Sequence, residues 1–293
     1  MEYLENEYLK IAVAEHGAEL SSIYDKRNNR ELLWQADPKF WNRHAPVLFP
    51  FVGNVKNDEY IYRGKTYHMS SHGFARDMDF EFLEKTGDAV SFVLRADNET
   101  KEKYPFDFEL VITHKLVDNI IEVIWDVKNL SATDPMYYSI GGHPAFNCPI
   151  NPGESRNDYM VKMNRSDLNY SLIIQKTREV DYKNPKNLQL EDGYIHITDE
   201  LFQKDALIFD DYQIESASLC TPDKKPYITL NCKGFPSFGL WSKPMSDAGY
   251  VCLEPWIGRC SNEGFEGELP EKYLIQHLEE NAATLHSYTI TVH

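Results

Sequence analysis

The chain has 293 residues, of which 42% are hydrophobic and 13% aromatic, so it can form a sizeable core and is not expected to be disordered. Lys and Arg number 30 against 46 Asp and Glu, which gives a net charge of −16 at pH 7. This charge repels nucleic acids and anionic membranes, so neither is an expected partner, whereas a small phosphorylated ligand is compatible with a local arginine cluster.

The N-terminus and the cysteines indicate the cellular compartment. The first ten residues, MEYLENEYLK, are acidic and lack the basic and apolar regions of a secretory signal. No apolar run has the length of a transmembrane helix. The five cysteines form no CxxC pair, and an odd number argues against a complete disulfide framework. We therefore expect a soluble cytoplasmic protein with free thiols.

Short strands separated by polar turns are predicted along most of the chain. In the first half they cover residues 8–14, 20–24, 79–83, 89–94, 106–116 and 119–127, with a polar separator at 96–103. This spacing is typical of antiparallel sheets and not of βαβ units. The chain has neither a GxGxxG motif nor a P-loop, so a dinucleotide or ATP site has no local support. We predict one all-β domain over residues 1–293.

Residues 40–54 differ from the strands around them. The sequence FWNRHAPVLFPFVGN is aromatic, is broken by two prolines, and carries Arg43 and His44. It fits neither a helix nor an alternating strand, so we predict an irregular segment that forms a pocket wall. The alternative is a buried loop whose aromatic side chains complete the core.

A predicted hairpin at residues 60–69 leads into the sequence SSHGFARD. His72 precedes Gly73 at the exit of this hairpin, and Arg76 follows closely enough to face the same ligand. His68, inside the hairpin, is predicted to be a sheet-surface residue.

A second histidine lies in the sequence SIGGHPAFN, after predicted strands at 120–127 and 136–140. Gly141 and Gly142 indicate either a positive φ or a close approach of another group to the main chain. His143 has an ordinary pKa near neutrality and is placed to act on a ligand as an acid or a base. The alternative is that His143 only bonds a neighbouring carbonyl group.

A carboxylate follows an apolar run near the C-terminus, in the sequence GYVCLEPW. Glu254 is predicted at the end of this strand, and burial there would raise its pKa and its basicity. A purely structural glutamate, satisfied by backbone amides, is the alternative.

These segments together resemble the aldose 1-epimerase (mutarotase) superfamily, and its bacterial LacX-like branch most closely. The resemblance runs over nearly the whole chain, through GAEL, ELLWQADPKFW, RHAPVLFPFVGNVKN, SSHGFARD, GGHPAFNCP, GLWS and YVCLEPW. It implies a large antiparallel β-sandwich of the galactose mutarotase type (a supersandwich), which binds a sugar across one sheet. It also implies interconversion of the α and β anomers of a free aldose.

The resemblance assigns roles to three residues. His143 and Glu254 match the family's second histidine and late glutamate, and we expect them to act as catalytic acid at the ring oxygen and base at the C1 hydroxyl. His72 matches the first histidine and is expected to bind the substrate near the ring oxygen. Opening a hemiacetal requires an acid and a base, and it requires neither a metal nor a cofactor.

The sequence departs from the galactose mutarotases at one motif. Those proteins carry G-R-x-x-N-R where this chain has GNVKND, and both arginines are absent. For the aspartate that they use on sugar hydroxyls, Asp205 is the candidate. Arg43 and Arg76 match phosphate-binding arginines of the hexose-6-phosphate mutarotases, which suggests a sugar phosphate. The alternative is that both arginines pair with acidic neighbours such as Asp77.

Two other classes of function stay open at this stage. The chain could be a non-catalytic carbohydrate-binding or sensing protein, since a fold does not guarantee chemistry. It could also be a metal-dependent sugar isomerase in which His72, His143 and Glu254 bind the ion. The sequence does not identify the sugar, the pathway or the oligomeric state, for which a homodimer is one alternative.

Overall fold

The computed structural model describes residues 1–245 and 247–293, and most of the ordered backbone is extended. The strands in the described residues are Glu2–Glu5 (β1), Leu9–Val13 (β2), Leu20–Asp25 (β3), Arg30–Glu31 (β4), Val47–Leu48 (β5), Glu59–Tyr62 (β6), Lys65–His68 (β7), Glu81–Lys85 (β8), Ala89–Arg95 (β9), Phe108–Val117 (β10), Ile120–Asn129 (β11), Met136–Tyr138 (β12), Ile140–Gly142 (β13), Ala145–Asn147 (β14), Met160–Met163 (β15), Asp167–Tyr170 (β16), Lys186–Gln189 (β17), Tyr194–His196 (β18), Leu207–Phe209 (β19), Ser216–Cys220 (β20), Pro226–Asn231 (β21), Ser237–Trp241 (β22), Tyr250–Ile257 (β23), Gln276–Leu278 (β24) and Ala283–Val292 (β25).

The helical segments are short. They are the α-helix Asn98–Lys103 (α1) and the 3₁₀ turns Lys56–Asp58, Ala75–Asp77, Arg156–Asp158, Glu200–Phe202 and Leu269–Glu271. Among the described residues, no helix is long and apolar enough to cross a membrane.

Three antiparallel sheets form the frame. The largest has nine strands in the order β18-β15-β20-β21-β25-β11-β10-β9-β8. A second, six-stranded sheet has five strands in the order β19-β22-β23-β13-β5 and β14 as its sixth strand, paired with β23. Strands β1 to β4 form a third sheet. This architecture confirms the prediction of an all-β fold of large antiparallel sheets.

In the long strands of the largest sheet, buried and less buried residues alternate, as the alternation of apolar and polar residues in their sequences predicts. Along β10 and β11 every second residue is buried, and the register places Ile112 opposite Trp125. Successive side chains of a strand point to opposite faces, so the apolar residues of both strands cover one face. That face forms the main core, which the four-stranded sheet also joins through Ile11 and Ile23.

The irregular segment before β6 contributes to both the core and a cavity. Phe49 and Phe51 are fully buried and pack against Tyr104, with centroid distances of 6.0 and 6.4 Å. Trp41 and Asn54 of the same segment instead line a cavity. The two interpretations of this segment are therefore both correct, for different residues.

Two local predictions are borne out, one of them incompletely. The hairpin predicted at residues 60–69 is confirmed, with Tyr60 opposite Tyr67 and His68 exposed on its surface. The segment predicted at 96–103 does separate β9 from β10, but the sequence analysis did not predict that α1 forms within it. Asp97 caps this helix by accepting a hydrogen bond from the Thr100 amide, and the Thr100 hydroxyl accepts one from the Asp97 amide.

Candidate active site

The pairing of β23 with two short strands brings His143 and Glu254 together. His143 lies in the gap between β13 and β14, and both of these strands pair with β23. Counting inward from either strand pair places His143 opposite Glu254 in the sheet. The pairs that fix this register are Gly141↔Trp256 and Ala145↔Cys252.

Close packing accounts for the two glycines before His143. Neither Gly141 nor Gly142 is among the residues with a positive φ. A Cβ on Gly141 would lie 2.6 Å from Cδ1 of Trp256, and one on Gly142 would lie 3.0 Å from the Tyr288 hydroxyl. Of the two explanations that the sequence offered, close approach of neighbouring groups is therefore the correct one.

Glu254 occupies the middle of its strand and not its end. β23 continues from Glu254 through Pro255 to Ile257, so the predicted strand end is wrong. The Glu254 side chain is 1% exposed, and neither carboxylate oxygen has a hydrogen-bond partner among the described residues. Burial raises its pKa well above 4.5, and the Asp205 carboxylate raises it further.

His143 lies directly against this carboxylate. Its Nε2 is 3.2 Å from Oε2 of Glu254, although the two groups are not oriented for a hydrogen bond. The imidazole stacks on the indole of Trp41, with 4.7 Å between the centroids and 29° between the planes. Burial lowers the pKa of His143 to about 3, assisted by the positive charge of Arg76.

His72 reaches the same place from the loop after β7. Its backbone has a φ of 67°, which is uncommon outside glycine and is found more often at functional sites. The Gly53 amide donates a hydrogen bond to Nδ1 of His72 over 3.1 Å, so in the neutral ring the proton is on Nε2. Burial lowers the pKa of His72 well below 6.5, and Arg76 lowers it further. His72 is thus a neutral donor whose ring lies 5.7 Å from that of His143.

A cavity of about 310 Å³ connects these groups. Its polar and charged lining includes Asn54, Ser71, His72, Arg76, His143, Arg178, Asp205 and Glu254, and its aromatic lining is Trp41, Trp241 and Trp256. A larger cavity of about 390 Å³ beside Tyr60 and Phe265 has no histidine in its wall. The cavity of about 310 Å³ combines a volume suited to a sugar and aromatic walls with the buried side chains of His143 and Glu254.

Residues 3–261 match the family model described as aldose 1-epimerase. The chain belongs to the aldose 1-epimerase family. It is 32% identical, over an alignment of 302 positions including gaps, to the LacX protein of Lactococcus lactis subsp. lactis, with 99% of this chain and 98% of LacX covered.

Solved structures of related proteins share the whole fold. A galactose mutarotase related enzyme from Lactobacillus acidophilus has a TM-score of 0.93 and 36% identity, covering 100% of this chain and 97% of its own. A galactose mutarotase-like protein from Lactobacillus casei ATCC 334 has a TM-score of 0.90 and 32% identity, with 100% of both chains covered. The predicted family and its type of β-sandwich are confirmed.

The two arginines predicted from the family resemblance have different surroundings. Arg76 lines the cavity and donates to the Ser71 carbonyl over 2.8 Å, while its buried Nε has no hydrogen-bond partner among the described residues. Arg43 is not part of the cavity wall and forms an ion pair of 2.7 Å with Asp77. Asp77 thus lies at ion-pair distance from both arginines, since its Oδ2 is 3.7 Å from Nε of Arg76, but of the two only Arg76 also lines the cavity.

Two of the cavity residues escaped the sequence analysis. Arg178 lies on a short turn between Ile173 and Val180, which are bridged, and has a φ of 60°. Trp241 ends β22 and packs edge-on against His143 with centroids 5.6 Å apart. The sequence QKTREV has the polar character of a turn, but nothing in it indicates that this turn faces a cavity.

We expect Gly73→Ala to destabilise the protein by roughly 3 kcal/mol, because it combines backbone strain with a steric clash. Gly73 has a φ of +72°, and a Cβ there would lie 2.2 Å from the Phe49 carbonyl oxygen. The segment that must move to relieve this clash carries His72. Urea unfolding of the wild type and the variant measures the loss.

Gly64→Ala is a matched control for this change. Gly64 has the same φ of +72°, but no atom lies within 4 Å of the position of its Cβ. Its substitution should therefore cost about 1 kcal/mol, the strain of the backbone alone. Equal losses in the two variants would contradict the tight packing at Gly73.

Proposed function

We propose that the protein is a mutarotase, an aldose 1-epimerase that interconverts the α and β anomers of a hexose or a hexose phosphate without a cofactor. One observation carries this proposal. His143 and Glu254 are buried 3.2 Å apart, and both have unpartnered polar atoms at the wall of a cavity of about 310 Å³. A substrate hydroxyl group would supply the partners that these atoms lack.

In the proposed reaction, the carboxylate of Glu254 takes the proton of the C1 hydroxyl while the imidazolium of His143 gives a proton to the ring oxygen. The bond between C1 and the ring oxygen breaks and leaves an open aldehyde. After rotation about C1–C2, the ring oxygen attacks the other face of C1 and both proton transfers run in reverse. The protein thus recovers its protons at the end of the cycle.

The proposed reaction requires that His143 and Glu254 share one proton. Burial determines which of the two residues holds this proton before the sugar binds. Since burial raises the pKa of Glu254 and lowers that of His143, both groups are uncharged in the absence of substrate. The distance of 3.2 Å is within hydrogen-bond range, so a rotation that aligns the carboxyl group with the imidazole would let its proton pass once substrate hydroxyls stabilise the carboxylate. This transfer produces the base and the acid that the reaction needs.

His72 and Asp205 are proposed to bind the sugar. The neutral His72 carries its proton on Nε2, which suits donation to the ring oxygen. Asp205 lines the cavity with a φ of 77° and accepts a hydrogen bond from the Ala206 amide at 2.8 Å. This bond holds the carboxylate in place, so it could accept hydrogen bonds from sugar hydroxyl groups.

Of the two arginines predicted to bind a phosphate group, one has a position that supports a phosphorylated sugar as the substrate. Arg76 lines the cavity, and Arg178, at the same wall, adds a second guanidinium. Arginine guanidinium groups match phosphate oxygens in geometry. The ion pair of Arg43 with Asp77 instead favours the alternative that this arginine is structural.

All five cysteines are buried and unpaired, which favours the proposed action in the reducing cytoplasm.

The test is the optical rotation of freshly dissolved α-D-glucose and α-D-galactose and of their 6-phosphates, with and without the protein. We expect a faster approach to the anomeric equilibrium, with a higher kcat/KM for a 6-phosphate if Arg76 and Arg178 bind that group. Equal efficiency with both forms of the sugar would remove the phosphate site. Sugar binding without any acceleration would favour the alternative function, a non-catalytic carbohydrate-binding or sensing protein.

A further inference from the structure

A third metal-ligating side chain lies beside the acid–base pair. β23 presents alternate residues to the same face, so Cys252 is on the side of Glu254. One ligand atom from each of His143, Cys252 and Glu254 lies within 4.8 Å of the other two, and all three residues are buried. The proposed reaction gives the thiol no role.

The three donors approach the geometry of a zinc site. Zinc bonds of about 2.0–2.3 Å to nitrogen, oxygen and sulfur place tetrahedral ligand atoms roughly 3.3–3.7 Å from each other. The distance of 3.2 Å between His143 and Glu254 is already close to this value. The largest separation, at most 4.8 Å, would have to shrink by only about 1 Å, which side-chain rotation can supply.

The site also has the polarity and charge that zinc requires. Both oxygens of Glu254 and Nδ1 of His143 are buried without hydrogen-bond partners among the described residues. Together, a thiolate and a carboxylate neutralise a divalent ion, so no net charge is added beside Arg76 in the same cavity. Imidazole and thiolate ligands favour zinc and cobalt over magnesium and calcium.

We propose that His143, Cys252 and Glu254 bind a thiophilic divalent cation of the zinc type, and that this cation inhibits the enzyme. The ion uses the lone pairs of His143 and Glu254 that proton transfer needs, and both of these residues line the cavity. Binding replaces the S–H bond of Cys252 and the O–H bond of the Glu254 carboxyl group with bonds to the metal, and both protons are released to the buffer. The inhibition rests on the proposed function, whereas the binding does not.

Cobalt(II) is the probe of binding, because a cobalt–thiolate bond gives a charge-transfer absorption in the near ultraviolet. Chelator-treated full-length protein should develop this absorption with one equivalent of Co²⁺ and lose it when Zn²⁺ is added. Cys252→Ser and Cys252→Ala should lack the band, and their zinc affinity should fall at least tenfold, the scale of losing a supporting group of a metal site (~10–100-fold). Two variants are used so that misfolding of one does not prevent the comparison.

Cys260→Ser is the matched control. Cys260 is also buried and lines the cavity, but it is outside the group of three donors. This variant should keep the cobalt–thiolate band. Absence of the band in the wild type, or its persistence in both Cys252 variants, would overturn the proposed site.

Enzyme assays separate this proposal from the proposed function. Zn²⁺ should slow anomer interconversion by the wild type, and each Cys252 variant should need at least about tenfold more zinc for the same fractional loss. Binding through Cys252 in a protein without mutarotase activity would support the metal site and overturn the proposed function. Acceleration by Zn²⁺ would overturn the inhibition and support a metal-dependent isomerase.

Discussion

Glu254→Gln is expected to lower kcat for anomer interconversion by about 10²- to 10⁴-fold, the usual contribution of a general acid–base group. Glutamine has nearly the same shape as glutamate, but its amide cannot take the proton from the C1 hydroxyl. The initial rate of optical-rotation change, measured at saturating sugar, gives kcat directly. A kcat equal to that of the wild type would exclude Glu254 as the base.

The stability of this variant separates chemistry from folding. Glu254 is 1% exposed and makes no hydrogen bond with the described residues, so its carboxyl group contributes little to the stability of the fold. We expect the free energy of unfolding of Glu254→Gln to lie within about 1 kcal/mol of the wild type. Sugar affinity, measured by calorimetry, should also change much less than kcat. A loss of activity caused by unfolding would instead appear in both measurements.

Local sequence patterns predict the strands because each pattern corresponds to burial on one face. The alternation of apolar and polar residues in β10 and β11 corresponds to an alternation of buried and less buried side chains in the structure. The hairpin that pairs Tyr60 with Tyr67 was predicted from the turn sequence between its two strands. The helix α1 was missed because its residues are polar, and its only strong signal is the cap formed by Asp97 and Thr100. A short exposed helix has no apolar period by which it could be recognised.

The residues of the candidate site could be proposed from the sequence, but their arrangement in space could not. His72, His143 and Glu254 each stand beside a proline or a glycine, and these breaks indicated special backbone positions. Their distances depend on the register between β23, β13 and β14, which is a long-range property. Arg43 and Arg76 show the same limit, since their sequence positions do not reveal that both lie near Asp77, at 2.7 and 3.7 Å, while only Arg76 faces the cavity.

The side chains around His143 explain why its pKa is lower than the ordinary value for histidine. Trp41 stacks on the ring and Trp241 packs against it edge-on, so water has little access to the imidazole. The positive charge of Arg76 acts in the same direction as burial. The imidazole therefore stays neutral over the physiological pH range unless Glu254 gives it a proton. This coupling makes the pair, and not either residue alone, the unit that titrates.

His143→Asn is expected to abolish most of the activity, with kcat lower by at least about a hundredfold, while the fold is retained. Asparagine fills part of the space but has no group that exchanges a proton near neutral pH. His114→Asn is the matched control, since His114 is a buried histidine outside the cavity whose Nε2 lies 2.9 Å from the Ala18 carbonyl oxygen. That variant should lose stability and keep its kcat. Unchanged turnover in His143→Asn would exclude His143 as the acid.

The pH dependence of the wild type tests the same assignment independently. Activity requires a single proton on the pair, so it should fall when a second proton binds His143 or when the proton is lost from Glu254. Burial lowers the first pKa to about 3, so protonation of His143 lies far below 6.5, the ordinary value for histidine, while burial moves the pKa of Glu254 upward. We expect that kcat/KM, measured between roughly pH 5 and 8, shows no fall on acidification with a midpoint near 6.5. An inflection at 6.5 that disappears in His143→Asn would instead mean that His143 titrates as a hydrated, uncoupled imidazole.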